Sequence, residues 1–348
     1  MSQKVRARQV LSIRGRFLGM FMGMMGVLSL AQAQTTLQTV QERGELLCGV
    51  NQGLAGFSKQ NNRGEWQGLD VDFCRALAAA VLKDARKVKF IPLSESDRFA
   101  ALDNKSIDIL SRNTTWTFAR ETASKLVFAG VYYYDGQGFM VLQKEGVSSI
   151  KQLKPVSVCV SSNTTTEINL TDYFTQQNMP YTLQKFPSIQ LAVSAYKRGQ
   201  CQALSSDLSA LAALRKSMPI PTDHLLLPEI ISKEPLSPAI RADDEEWQTI
   251  VRWTLFTLIN AEEAGLTSKN IASMSKSTQS SVLRILGQEP ELFKFFPLDP
   301  LWAKRIIAQV GNYGEIFDKN LGVKGLGLNR GLNQQWNQGG ILYAPPMM

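Results

Sequence analysis

Twice along this sequence, short apolar runs of strand length alternate with stretches whose apolar residues recur at helical spacing, and few folds bury both kinds of segment together. The first series opens with Leu46-Leu47-Cys48-Gly49-Val50 and passes through a Gly/Asn-rich connection that includes Gly53, Gly56 and Gly64. It continues as a helix in which Phe73, Leu77, Ala80 and Val81 share one face, with Asp70 as the expected cap. Val88 to Pro92 reads as a second strand, Asp97 to Asn104 as a short helix, and Ile107 to Leu110 as a third strand. Strand-helix-strand order of this kind predicts a parallel α/β sheet.

The second series repeats the plan. Val156-Ser-Val-Cys-Val160 is a strand, and Thr164-Thr-Thr-Glu167 opens a helix as a capping box that runs on through Leu170 and Phe174. Ser188 to Arg198 is an amphipathic helix stopped by Gly199, and Gln202 to Ser206 is a strand that delivers Asp207 at its end. Two segments join the series. Tyr132 to Gly138 is turn-rich, and Pro228 to Pro238 holds three prolines in eleven residues, so both read as crossings between two lobes. The expected organisation is a first lobe of residues 34–134 plus 239–348, which includes a C-terminal extension, and a second lobe of residues 135–238. In the extension, Asp243 and Asp244 open a helix whose Trp247, Val251, Leu255, Leu258 and Ile259 suit core packing. Gly322, Gly325, Gly327 and Gly331 lack the preceding strand and following acidic residue of a dinucleotide loop, and predict a flexible tail.

Residues 1–33 carry Lys4, Arg6, Arg8, Arg14 and Arg16, then the apolar run Phe17 to Leu30, then Ala31-Gln-Ala33, the pattern of a secretory signal peptide. The run is too short to span a bilayer, and no other run approaches the roughly 18 residues that spanning needs, so direct membrane insertion is not expected. The segment holds five of the 38 basic residues and none of the 30 acidic ones, so the remainder is close to neutral, with 33 against 30. Nucleic-acid binding is therefore not expected. Four cysteines in an exported chain suggest two disulfides, for which three connectivities exist. Pairing Cys48 with Cys74 and Cys159 with Cys201 would staple each lobe internally; buried free thiols are the alternative. His224 is the only histidine and the cysteines are dispersed, so neither a metal site nor a Ser-His-Asp triad is expected.

The stretch Asp108-Ile-Leu-Ser-Arg-Asn-Thr-Thr-Trp-Thr-Phe-Ala-Arg120 has the clearest functional signal. Its apolar strand runs into hydroxyl and amide side chains at Asn113, Thr114, Thr115 and Thr117, then into Arg120. Parallel α/β sheets bind ligands at the carboxyl ends of their strands, and a guanidinium placed there can grip a carboxylate through two parallel bonds. A solvated surface turn is the bland alternative. Asp207 occupies the equivalent strand end in the second series, either as cap of the helix Leu208 to Leu214 or as a ligand contact.

The segments Cys48-Gly-Val-Asn-Gln-Gly-Leu54, Gly68-Leu-Asp-Val-Asp-Phe-Cys74, Arg112-Asn-Thr-Thr-Trp116, Tyr133-Tyr-Asp-Gly-Gln-Gly-Phe-Met140 and Leu227-Pro-Glu-Ile-Ile-Ser-Lys-Glu-Pro235 resemble general L-amino-acid binding proteins of bacterial polar amino-acid ABC importers, extracytoplasmic solute-binding protein family 3. The closing Gly339-Gly-Ile-Leu-Tyr-Ala-Pro345 is similar to theirs too. The resemblance covers nearly all of the chain after residue 33 and is weakest from Ile271 to Gly287. It implies a two-lobed α/β periplasmic-binding-protein fold of type II, hinged at the two crossings, that serves an inner-membrane ABC permease complex as a periplasmic monomer. It also implies a free L-amino acid as ligand, and neither catalysis nor a cofactor. Arg120 matches the family's carboxylate-binding arginine, with Thr115 and Asn113 as its loop companions. Thr164 and Thr165 match residues at a helix start whose N–H groups complete carboxylate binding, and Asp207 matches the acid that takes the ammonium. Where narrow-specificity relatives carry an aromatic wall this chain has Leu54, which implies broad specificity. Two alternatives share the scaffold: an enzyme resembling the cyclohexadienyl dehydratases, with Asp207 or Glu167 as general acid, and a chemosensory binding protein.

Overall fold

The structure is a computed structural model that describes residues 34–348; the expected signal peptide lies outside the described residues. Two five-stranded sheets organise the chain. The first runs, edge to edge, Val88–Leu93, Leu46–Asn51, Ile109–Leu110, Ala239–Arg241 and Leu126–Phe128. The second runs Tyr181–Phe186, Val156–Ser161, Ala203–Asp207, Gln137–Leu142 and His224–Leu226. In each, three strands are parallel, with Leu46 opposite Val88 and Cys48 opposite Ile109 in one, and Val156 opposite Tyr181 and Ala203 opposite Val158 in the other; Tyr181–Phe186 is a strand that the sequence pattern did not single out.

The sheets are mixed where wholly parallel ones were expected. Ala239–Arg241 joins the first sheet antiparallel, and Gln137–Leu142 joins the second antiparallel. Both strands follow directly on a crossing, so the chain enters each sheet from the side that faces the other and runs against its neighbours. The crossings pair with one another: Tyr133–Asp135 lies antiparallel to Glu234–Leu236, with Asp135 opposite Glu234 and Tyr133 opposite Leu236. A two-stranded ribbon thus connects the sheets, and all six parallel strands point their carboxyl ends toward a shared cleft.

Both disulfides form as Cys48–Cys74 and Cys159–Cys201. The first ties the central strand to the helix Leu69–Val81 that covers it. Asp70 does not cap that helix; Gly68 occupies the cap position, and the Asp70 carboxylate turns inward with no exposure. Glu245–Glu263 is the long helix expected after Asp244, which caps it, and its predicted apolar residues are buried.

The glycine-rich tail is packed instead of flexible. Arg330 pairs with Glu262 at 2.9 Å and lies over the rings of Tyr313 and Phe317 at 5.1 and 4.9 Å. Asn333 accepts the Tyr134 backbone N–H at 2.7 Å and donates to its carbonyl at 3.0 Å, so the tail is bonded to a crossing strand. Glycine is used here for close approach: a Cβ on Gly325 would sit 2.0 Å from the Asn320 carbonyl oxygen, and one on Gly340 would sit 1.9 Å from that of Gln334.

Candidate functional site

One polar cavity opens between the strand ends of the two sheets, and all six residues singled out from the sequence line it: Asn113, Thr115 and Arg120 from the first sheet's side, Thr164, Thr165 and Asp207 from the second. Leu54 lines it as well. Their local settings differ in part from expectation.

Arg120 sits on a short helix, Phe118–Ala123, that Thr117 caps, and not in the loop itself. Its Nη1 donates to the Thr115 carbonyl at 2.7 Å, which holds the fork toward the cavity, and burial pulls the guanidinium below its usual pKa. Asn113 takes a left-handed backbone with φ 37°, which an asparagine tolerates better than most residues. Its N–H donates to Asp70 Oδ1 at 3.2 Å, and its Oδ1 accepts from Asn51 Nδ2 at 3.1 Å. Asp70, read from the sequence as a helix cap, is therefore the buried anchor of the loop. Tyr132 Oη also donates to it, as does Ser58 Oγ at 3.3 Å, and burial nonetheless raises its carboxyl to about 6.

On the far side, Thr164 caps the helix Thr165–Gln176, accepting the Glu167 N–H at 3.3 Å. The capping box is only half made. The Glu167 carboxylate reaches the Asn163 N–H at 3.0 Å and Lys185 at 2.6 Å instead of the cap backbone, because the lysine of the neighbouring strand offers a full charge. The helix's first N–H groups have no acceptor inside the helix, and the residues that carry them line the cavity. Asp207 ends its strand at the cap position of Leu208–Lys216, yet its carboxylate makes no capping bond. It is buried, and burial together with Asp135 and Glu234 raises its pKa well above the usual range, against the pull of Arg120 and Arg98.

Sequence reasoning missed Arg98. It begins the short helix Arg98–Asp103, is 4% exposed, lines the cavity and lies over the Phe99 ring at 4.8 Å. Among the described residues no hydrogen bond or ion pair satisfies its guanidinium, and its Nε has no partner. Burial, with Arg120 and Arg112 nearby, drives its pKa well down. Of the two acids just before it in sequence, Asp97 accepts the hydroxyls of Ser94 and Ser96, and Glu95 is paired with Arg112 at 3.1 Å. A signal existed: Arg98 follows the carboxyl end of Val88–Leu93, where the ligand rule for parallel sheets applies. Glu234 was also passed over, and it accepts the hydroxyls of both Thr115 and Thr165, at 2.6 and 3.1 Å.

Besides Arg112 and Glu95, which pair with each other, the cavity presents two guanidiniums and a helix start as donors, and the Asp207 carboxylate as acceptor. That suits a small dipolar molecule with one or two anionic groups and a cationic one. No group of three or more His, Cys, Asp or Glu side chains among the described residues could hold a metal ion, and no described helix is long and apolar enough to cross a membrane.

Residues 46–270 match the family described as bacterial extracellular solute-binding proteins, family 3. The chain is 47% identical over 318 residues, 91% of its own length and 94% of the relative's, to a glutamate/glutamine/aspartate/asparagine-binding protein of Rhodobacter capsulatus. It is also 47% identical over 320 residues, with 91% and 94% covered, to a general L-amino acid-binding periplasmic protein of Rhizobium johnstonii. A solved periplasmic binding protein of an ABC transporter from Brucella ovis, with glutathione bound, superposes with TM-score 0.88 at 47% identity, covering 90% of this chain and all of that one.

Proposed function

The chain belongs to the bacterial extracellular solute-binding proteins, family 3, and on that footing we propose that it is the extracytoplasmic substrate-binding component of an amino-acid ABC importer, closing two lobes on a free L-amino acid. The observation that carries this reading is the single cavity on which Arg120 and Asp207 meet from opposite sheets. An amino acid is a zwitterion. Arg120 takes its carboxylate as a bidentate fork, helped by the backbone N–H groups at Thr164 and Thr165, and Asp207 takes its ammonium. Asn113 and Thr115 complete the loop that frames these contacts.

Most of the binding energy then comes from groups common to all amino acids, and the plain Leu54 wall rejects few side chains, which supports broad specificity. Arg98 adds a preference within that breadth: an unpaired buried guanidinium favours side chains that end in a carboxylate or amide. The Rhodobacter relative's name fits this preference, and the Rhizobium relative's name fits the breadth. Glutathione is a natural member of the same ligand class, because its γ-glutamyl end carries a free ammonium and carboxylate on one carbon.

We place the hinge in the paired crossings, at about 134–138 and 232–238, between a lobe of residues 34–134 plus 239–348 and a lobe of residues 135–238. The protein works in the periplasm as a monomer that delivers its ligand to an inner-membrane permease, and it catalyses no reaction. Of the two acids a dehydratase-like activity could use, Glu167 is held by Lys185, which leaves only the proposed ammonium ligand Asp207.

Calorimetry with acidic, amide, aliphatic and basic amino acids and with glutathione tests the assignment, alongside small-angle scattering with and without ligand. Wild type is expected to bind several classes and to compact, and Arg120→Lys to lose most affinity for all of them, since a point charge cannot replace the fork. Equal affinity in Arg120→Lys, or an unchanged radius at saturation, would overturn the proposed site.

A further inference from the structure

Glu234 lies on a crossing strand, is 1% exposed, and collects four donors on its carboxylate. Its Oε2 accepts the hydroxyls of Thr115 at 2.6 Å and Thr165 at 3.1 Å, which belong to the two sides of the cavity. Its Oε1 accepts Asn169 Nδ2 at 2.7 Å and Ser232 Oγ at 2.6 Å. One carboxylate therefore joins the binding loop, the helix Thr165–Gln176 and the hinge.

The direction of these bonds is fixed by a chain of amides. Gln137 Nε2 donates to the Thr166 carbonyl at 3.1 Å, an atom that can only accept, so Gln137 presents its Oε1 to Asn169. Asn169 must then use its amide nitrogen toward both Gln137, at 3.0 Å, and Glu234. Each threonine hydroxyl has a single proton, and both protons go to Glu234. What Thr115 and Thr165 keep for the cavity is lone pairs.

We propose that Glu234 is a positioning residue that sets the polarity of the site: it makes the hydroxyls of Thr115 and Thr165 acceptors for the ligand's ammonium, beside Asp207, and leaves the main carboxylate to Arg120 and backbone N–H groups and an anionic side chain to Arg98. This rests on the amino-acid reading above. It separates the cavity into an acceptor set and a donor set, and it ties both to a residue on the hinge, so the acceptor set is complete only when the two lobes are together.

Glu234→Gln inverts the arrangement. Because Asn169 can only donate, the new amide must turn its oxygen to Asn169 and its nitrogen to the threonines, whose protons are then released into the cavity. The probes are glutamate and its deaminated counterpart glutarate. In Glu234→Gln, glutamate affinity should fall roughly 10- to 100-fold, the equivalent of two ordinary hydrogen bonds, while glutarate affinity holds or rises. In a Thr115→Val/Thr165→Val background, which removes the hydroxyls and keeps the shape, adding Glu234→Gln should change glutamate affinity by less than about threefold. An equal loss for both probes would make Glu234 merely structural, and a full loss that persists in the valine background would show its charge acting directly; either result overturns the proposal. If Glu234→Gln fails to fold by circular dichroism, Thr115→Val alone carries the test: it should weaken glutamate and spare glutarate, and an equal effect on both overturns the polarity argument. Wild-type protein that binds neither glutamate nor any other amino acid would instead overturn the functional reading on which this one stands.

Discussion

Replacing Arg98 by methionine should move stability and affinity in opposite directions. Arg98 is 4% exposed and its guanidinium has no hydrogen-bond partner among the described residues, so its desolvation is offset only by distant acids and by the Phe99 ring at 4.8 Å. Replacing buried ionic groups by apolar side chains of similar volume is often neutral or stabilising, by up to about 4 kcal/mol, and a guanidinium with no paired acid sits toward the stabilising end. Losing the cation–π contact takes back about 1 kcal/mol of that. Ligand-free Arg98→Met should accordingly unfold at higher denaturant concentration than wild type, with unchanged slope. Binding should change the other way. A carboxylate side chain that meets Arg98 makes one or two charge-assisted bonds of about 1.5–3 kcal/mol each, so glutamate affinity should fall at least tenfold and by as much as roughly 10,000-fold. Alanine presents nothing to Arg98 and should bind Arg98→Met within about threefold of wild type. Chemical denaturation of the ligand-free proteins and calorimetry with both amino acids give the four numbers needed. A less stable variant that loses glutamate and alanine alike would refute the reasoning, because it would mean Arg98 holds the fold and not the ligand.

Three further outcomes follow from the same geometry. Burial and the neighbouring acids raise the Asp207 pKa in the ligand-free protein, and an ammonium favours its ionised form, so binding should release a proton and affinity should rise with pH up to that raised pKa; calorimetry in buffers of different ionisation enthalpy should detect the proton, and Asp207→Asn should abolish it while weakening glutamate far more than glutarate. The Asp70 carboxyl is raised from 3.8 to about 6, so the stability it contributes is complete below about pH 4 and lost as pH rises through 6; relative to Asp70→Asn, wild type should lose about 3 kcal/mol between pH 4 and 7, and a constant difference across that window would remove Asp70's carboxyl from the balance. Leu54→Tyr should narrow the ligand range by favouring side chains that stack on a ring, and an unchanged ranking across an amino-acid panel would mean Leu54 does not face the side chain.

The parts of this fold that were legible in the sequence are those fixed by neighbours a few residues away. Strand and helix periodicity placed five of the six parallel strands, all but Tyr181–Phe186, and the helix Glu245–Glu263, because alternation and helical spacing are set locally. The strand-end rule pointed to Arg120 and Asp207 for the same reason: each lies just past an apolar run. What failed was read from local signatures that two different tertiary settings share. Asp70 at the start of a helix looks like a cap from either side, and only Tyr132 and Asn113, 62 and 43 residues away, turn it into a buried anchor. The glycines of the tail look like flexibility by composition, whereas Gly325 and Gly340 are there because carbonyl oxygens leave no room for a Cβ.

Glu234 is the limiting case of that argument. Its sequence neighbours are a lysine and a proline on a segment that reads only as a crossing, and nothing within ten residues except Ser232 bonds to its carboxylate. Its other partners stand 119, 69 and 65 residues away, and each of the two threonines among them is on its own a common surface residue. A buried carboxylate surrounded only by donors is stable because every lone pair it exposes is used, and that condition is a property of the assembled hinge. The same convergence that hides Glu234 in the sequence makes it sensitive to the proposed hinge: an opening there would draw Thr115 and Thr165 apart, and at least one hydroxyl would leave. On that proposal, the residue least visible in the chain is the one whose bonding would report most directly on whether the two halves of the site have met.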